Sequence, residues 1–133
     1  MTPESGARPV IVQKYGGSSL ANTKLIHNAA KRICTLKDDG TDVIVVVSAM
    51  GDSTDGLIAL SNAVTGEATP DAREMDNLLS TGEMVSATLM AMALNIRGYG
   101  AISLSGGQAG IKTDSVHGSA RIADINTDRL RRE

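Results

Sequence analysis

The run Lys14-Tyr15-Gly16-Gly17-Ser18-Ser19 stands between a short apolar segment, Val10-Ile11-Val12, and a helical pattern that opens near Thr23. A strand that feeds a glycine turn, which in turn feeds a helix, is how α/β chains build a phosphate cradle. Glycines let backbone N–H groups approach an anion without interference from a Cβ. The helix that follows adds unpaired N–H groups and the positive end of its dipole. Lys14 adds a full charge at the edge. The same residues also suit an ordinary βα turn with a solvated lysine, and spacing alone does not choose between the two.

The pattern downstream repeats the logic. Thr23 is placed to cap a helix whose Leu25, Ile26, Ala29, Ala30, Ile33 and Leu36 form one apolar face, with Gly40 as a left-handed stop. Val43 to Val47 reads as a strand buried on both faces, as in the centre of a parallel sheet. Strand, helix, strand is a βαβ unit with a right-handed crossover. A polar loop, Ser48 to Asp55, leads into a short helix over Leu57–Val64, and 65–70 is a surface break. Asp71 opens a long helical stretch to about Ile96, with an interruption expected near Ser80-Thr81-Gly82-Glu83. Ala101–Leu104 is expected as a third strand, followed by a glycine loop at 105–110 and an extended piece at 111–113. Residues 126–133 suit the first turns of a helix. The loops at 14–19, 48–55 and 105–110 would all follow strands, and such loops gather at the carboxyl edge of an open parallel sheet, where ligands bind.

Composition narrows the function classes. With 133 residues the chain has the length of one domain that can bury a core. Thirteen basic and fifteen acidic residues give a net charge of −2, which supplies no nucleic-acid footprint and no membrane patch. Tyr15 and Tyr99 are the only aromatics, too few to stack bases. The single cysteine, Cys34, excludes an internal disulfide and reads as a small buried hydrophobe. No apolar run reaches the roughly 20 residues of a membrane span, and the polar segment 1–9 does not read as a signal peptide. The expectation is a cytoplasmic protein, with residues 10–133 as its folded part.

The lysine precedes the glycines, and no Gly-Lys-Ser/Thr closes the loop, so this is not a Walker A sequence. A lysine on a strand end can reach a transferring phosphoryl group while Gly16, Gly17 and Ser18 hold its oxygens. Phosphoryl transfer rests on positioning and charge neutralisation more than on covalent chemistry. Thr54, with Ser53, is open to two readings: a helix N-cap, or a hydroxyl beside free N–H groups that binds a carboxylate. Glu83 is also open to two, a surface kink or a cleft carboxylate that meets an ammonium group. The methionines at 84, 90 and 92 read as core packing. His27 reads as exposed. His117 has no second histidine or cysteine nearby, so no protein metal site is expected.

Taken together, these stretches resemble the aspartate kinases of the amino acid kinase family. The resemblance runs through Val12–Ser19, Val45–Asp52, Arg73–Asp76, Leu79–Glu83, Gln108-Ala109-Gly110 and His117–Ile122. It implies an α/β fold, a three-layer αβα sandwich around a mainly parallel sheet, of which this chain is the N-terminal portion. It implies Lys14 as the catalytic lysine on the transferred phosphate and Gly16, Gly17 and Ser18 as the ATP phosphate loop. Ser48, Thr54 and Glu83 would bind L-aspartate. The implied reaction is Mg2+-ATP plus L-aspartate giving 4-phospho-L-aspartate, with Mg2+ carried by the nucleotide, at the entry to lysine, threonine and methionine synthesis. An aspartate side-chain carboxyl, which ordinarily titrates near pH ~3.9, is ionised at neutral pH and needs no general base. The family's catalytic region extends further and includes a Gly-Arg-Gly-Gly-Ser-Asp motif not found here. The chain alone is therefore expected to be inactive and to self-associate as a homo-oligomer or pair with a complementing C-terminal half. The rival readings are a related kinase with another carboxylate acceptor, a non-catalytic half-domain that binds amino acid or another subunit, and a plain fragment.

Overall fold

The computed structural model describes residues 8–133, so most of the polar segment 1–9 lies outside the described residues. β1 (Val10–Tyr15) is followed by a 3-10 turn at Gly17–Leu20 and then α1 (Thr23–Asp38) and β2 (Asp42–Val47). Next come α2 (Ser53–Thr65), α3 (Ala72–Asn95), β3 (Ile111–Thr113), β4 (Ile122–Ile125) and α4 (Asp128–Arg132). β1 and β2 pair in parallel, from Val10 opposite Asp42 to Tyr15 opposite Val47. The βαβ unit is thus present as the apolar patterning implies.

Alternation along a strand sorts these residues onto two faces. Tyr15, Val43, Val45 and Val47, all odd-numbered, pack against a core made by Leu20, by Ile26, Ala29, Ala30, Ile33 and Cys34 of α1, and by Met90, Ala93 and Leu94 of α3. Burying each large aliphatic side chain stabilises the fold by about 1.5–3 kcal/mol. On the even-numbered face Val10, Val12 and Val46 stay 60%, 63% and 46% exposed. Helices α1 and α3 therefore form a layer on one face of the sheet only. The expectation that β2 is buried on both faces fails for this reason: it is half-buried, with β1 as its only ladder partner among the described residues.

The helix ends show which local rules won. Asn22, not Thr23, caps α1: it is extended, and its Oδ1 accepts from the Leu25 N–H at 3.0 Å. Gly40, at φ 84°, ends the helix as expected. Its N–H donates to Lys37 O and the Thr41 N–H to Leu36 O, which together close a Schellman motif. Beside it the Lys37 ammonium donates to Asp42 and holds that carboxyl below its ordinary range. Asp71 caps α3 by accepting from the Glu74 N–H at 3.0 Å. The expected interruption at 80–83 is absent, and α3 runs unbroken to Asn95.

Ala101–Leu104 is not a strand. The Asn95 side chain takes both backbone groups of Ala101, accepting from its N–H at 2.8 Å and donating to its carbonyl at 3.2 Å. A side chain that satisfies the backbone in this way competes with a ladder. β3 pairs instead with β4 as an antiparallel hairpin, and β4 is a strand that the sequence pattern did not announce. At Gly110, φ is 88° and a Cβ would lie 1.9 Å from the Asn126 carbonyl oxygen, so only glycine fits.

Tyr99, just beyond α3, donates its hydroxyl to the Asp38 carboxylate at 2.6 Å, which joins the ends of α1 and α3. That hydrogen bond, with some desolvation, pushes the phenol up from 10.0 to about 12. A raised folded pKa gives stability that is complete below the unfolded value and is lost as pH rises through the folded one. The wild-type advantage over Tyr99→Phe should therefore hold up to pH 10.0 and vanish by about pH 12. Melting temperatures of both proteins across that window, with tyrosinate absorbance followed in parallel, check this. An equal loss in the variant would contradict it. Tyr15 is also raised, by burial, with Arg32 opposing.

Candidate functional site

Three backbone segments meet around Ala49. The ladder extends past its strands, since the Ser48 N–H donates to the Tyr15 carbonyl at 3.0 Å. Further along the same loops, the Gly51 N–H donates to Gly17 O, also at 3.0 Å. A Cβ on Gly17 would lie 2.7 Å from the Ala49 carbonyl oxygen, so this glycine is what lets the two loops touch. From the other side, a Cβ on Gly82 of α3 would lie 2.9 Å from the Ala49 Cβ and 3.5 Å from Leu57 of α2. Gly17 and Gly82 thus both stack closely on Ala49, and this stack brings the 14–19 loop, the 48–52 loop and the α3 turn that carries Glu83 together.

The candidate side chains lie on the segments of this frame. Lys14 is the last outward residue of β1, on the even face, opposite Val46. Its Nζ lies 3.8 Å from the position a Gly16 Cβ would take, so the ammonium lies beside the glycine turn. Gly16 is extended at the start of the 3-10 turn. The Gly17 and Ser18 amides donate to no acceptor among the described residues. A cation beside unspent N–H groups is an arrangement that can hold phosphoryl oxygens.

Thr54 is half-buried in the first turn of α2. It is not the N-cap, which is Asp52 without a side-chain capping bond; the Ser53 hydroxyl donates to the Met50 carbonyl instead. The Thr54 and Asp55 N–H groups have no acceptor among the described residues. Ser48 is half-buried where β2 ends, and Glu83 is exposed on α3. Neither Lys14 nor Glu83 enters an ion pair among the described residues. The break expected beside Glu83 is absent, since α3 is continuous there, and the Glu83 carboxylate is exposed on the helix surface.

The third loop does not join this group through any hydrogen bond among the described residues. Its own hydrogen bonds close on Ser105 and Gln108, and Gly110 is tied to Asn126. With no strand at 101–104, no ladder among the described residues joins the segment before 105–110 to the β1–β2 sheet.

Two residues that matter here were missed in the sequence: Ala49, and Gly82 as a contact. A helical glycine costs about 1 kcal/mol against alanine, so one inside a strong apolar helix signals a close approach as readily as a break. Gly82→Ala should gain that propensity yet lose about 1–3 kcal/mol overall, because its methyl overpacks Ala49. Ala49→Gly in the same chain should recover most of the loss. Urea denaturation of the two single variants and the double variant measures the coupling, and simple additivity would contradict the stack.

Residues 9–132 match the amino acid kinase family along almost the whole chain. The chain belongs to the amino acid kinase family. It is 51% identical over 121 residues to aspartokinase 2 of Bacillus subtilis (strain 168), covering 91% of this chain and 29% of that protein. To the aspartokinase of Geobacillus stearothermophilus it is 50% identical over 123 residues, covering 92% of this chain and 30% of that one. Among solved structures, an aspartate kinase from Synechocystis superposes with a TM-score of 0.70 at 44% identity, over 77% of this chain and 17% of that one. The α/β fold is therefore that of an amino acid kinase, and the chain spans less than a third of the length of the curated relatives it matches.

Proposed function

We propose that this chain carries the phosphoryl cradle and the acceptor pocket of an aspartate kinase, which transfers a phosphoryl group from ATP to the side-chain carboxylate of L-aspartate. The observation that supports this most is the meeting of the Lys14–Ser18 loop, the Ser48–Thr54 segment and the Glu83 turn around Ala49. Identity near 50% to aspartokinases adds to it. The relatives are about three times as long, and we assign the adenine site to sequence outside this span, so that these residues alone do not turn over and require a complement.

The cradle suits a triphosphate. Lys14 and the free amides of Gly17 and Ser18 would hold the β- and γ-phosphoryl oxygens. Among the described residues no cluster of three histidine, cysteine or carboxylate side chains could hold a metal. Mg2+ would arrive on the nucleotide, since it commonly binds through substrate phosphates and water. ATP supplies the electrophilic phosphorus; the acceptor carboxylate oxygen bonds to it as the bridging P–O bond breaks and ADP leaves. Lys14 neutralises charge on the transferred group. The Thr54 hydroxyl, the N–H groups of the first α2 turn and Ser48 hold carboxylate oxygens, while Glu83 faces the ammonium. No proton has to be removed from the nucleophile. The product, an acyl phosphate, serves lysine, threonine and methionine synthesis in the cytoplasm.

Titration of the 15N-labelled chain with L-aspartate tests the acceptor half. Shifts at Ser48, Thr54, Asp55 and Glu83 are expected, and succinate, which lacks the ammonium, should leave Glu83 unmoved. Equal shifts for both ligands, or none, would count against the pocket. A related kinase with another carboxylate acceptor would respond to that acceptor instead.

A further inference from the structure

The β3–β4 hairpin is fastened to the helical layer at one carboxylate. Asp76, in the second turn of α3, accepts from the Gly118 N–H through both oxygens, at 3.2 and 3.0 Å. The same carboxylate meets His117 Nδ1 at 3.1 Å. These partners are more than 40 residues away along the chain. Among the described residues no other side-chain hydrogen bond ties segment 111–125 to α1, α2 or α3. Within the hairpin loop, Asp114 Oδ1 accepts from the Val116 and Arg121 N–H groups, so the loop has a set shape before it reaches Asp76.

Asp76 and Glu83 are seven residues apart on an unbroken helix. Seven residues turn through about 700°, which returns to the same face within roughly 20°, and rise by about 10 Å. The loop held by Asp76 therefore lies over the stripe of α3 that carries Glu83, two turns toward the helix N-terminus. An exposed guanidinium, Arg121, rides on that loop and enters no ion pair among the described residues.

We propose that Asp76 is a positioning residue: it docks the 114–121 loop on the Glu83 face of α3 and so makes the hairpin one wall of the acceptor pocket. The wall role rests on the pocket reading above, whereas the docking does not. Gly118 suits the contact, since its φ of 78° is left-handed and its N–H must reach the carboxylate. Asp76 does not itself touch the substrate. It acts through the loop.

The test uses the 133-residue chain with Cys34→Ser and a nitroxide on Glu83→Cys. Amides at 117–121 should broaden in the labelled chain, and Asp76→Ala should abolish the broadening while the amides of α3 keep their shifts. Asp76→Asn, which keeps one acceptor oxygen, should restore part of it. In the unlabelled chain with native Glu83, Asp76→Ala should weaken L-aspartate about tenfold and leave inorganic phosphate at the Lys14 loop unaffected. Broadening that survives Asp76→Ala overturns the docking. A released loop with unchanged L-aspartate affinity overturns the wall role. If the chain with Asp76 intact binds no L-aspartate, the pocket reading and the wall role fall together, while the broadening still decides the docking.

Discussion

Replacing Lys14 by methionine should lower phosphoryl transfer about a thousand-fold, equivalent to roughly 4 kcal/mol of transition-state stabilisation. The assay needs a whole kinase domain, so residues 9–132 would replace the matching segment of the Bacillus subtilis aspartokinase 2, with 51% identity favouring a clean graft. The loss should fall on kcat, with KM for L-aspartate changed by no more than a few-fold. Lys14 stands on the strand end beside Gly16, whereas the acceptor contacts are assigned to Ser48, Thr54 and Glu83. Stability should barely move, because the side chain is exposed and joins no ion pair among the described residues. Arginine at this position keeps the charge but not the compact ammonium, and should recover only a small part of the rate. A loss under tenfold for Lys14→Met would remove the lysine from the reaction.

Gly17→Ala should be the most damaging single methyl in the site. Its Cβ would sit 2.7 Å from the Ala49 carbonyl oxygen and 3.3 Å from that of Gly51, and both are backbone atoms that cannot swing aside. Relief requires the two loops to separate, which strains the Gly51 N–H bond to Gly17 O. Overpacking of this kind costs about 1–3 kcal/mol, and the lost hydrogen bond adds roughly 1 kcal/mol. Gly16→Ala is the control: its nearest neighbour is the Lys14 Nζ at 3.8 Å, an ordinary contact at the end of a flexible side chain. Urea midpoints should therefore fall sharply for Gly17→Ala and little for Gly16→Ala. Equal losses would show that the loops do not depend on the Gly17 contact.

Local chemistry was legible where one segment decided the outcome. The strand, glycine turn and helix around Lys14, the Gly40 stop and the Asp71 cap each follow from residues within a few positions. The failures share a different cause. Asn22 and Thr23 are both competent caps, and choosing between neighbours depends on where the chain enters the helix. Gly82 looked like a break because its reason lies in Ala49, more than 30 residues earlier. Ala101–Leu104 has the composition of a strand, yet strand identity is conferred by a partner, and Asn95 occupies the first of its backbone groups. For the site, Lys14, the glycines, Ser48, Thr54 and Glu83 were named from the sequence. The approach of Gly17 and Gly82 to Ala49, and the fastening of His117 and Gly118 to Asp76, are products of tertiary contact.

The most direct measurement is hydroxylamine trapping of the acyl phosphate formed by the grafted kinase with Mg2+-ATP and L-aspartate. Hydroxamate is expected from the graft with L-aspartate, little with L-glutamate, and almost none once Lys14 is methionine. A folded graft that forms no hydroxamate from L-aspartate, or that prefers another carboxylate acceptor, would contradict the aspartate kinase assignment.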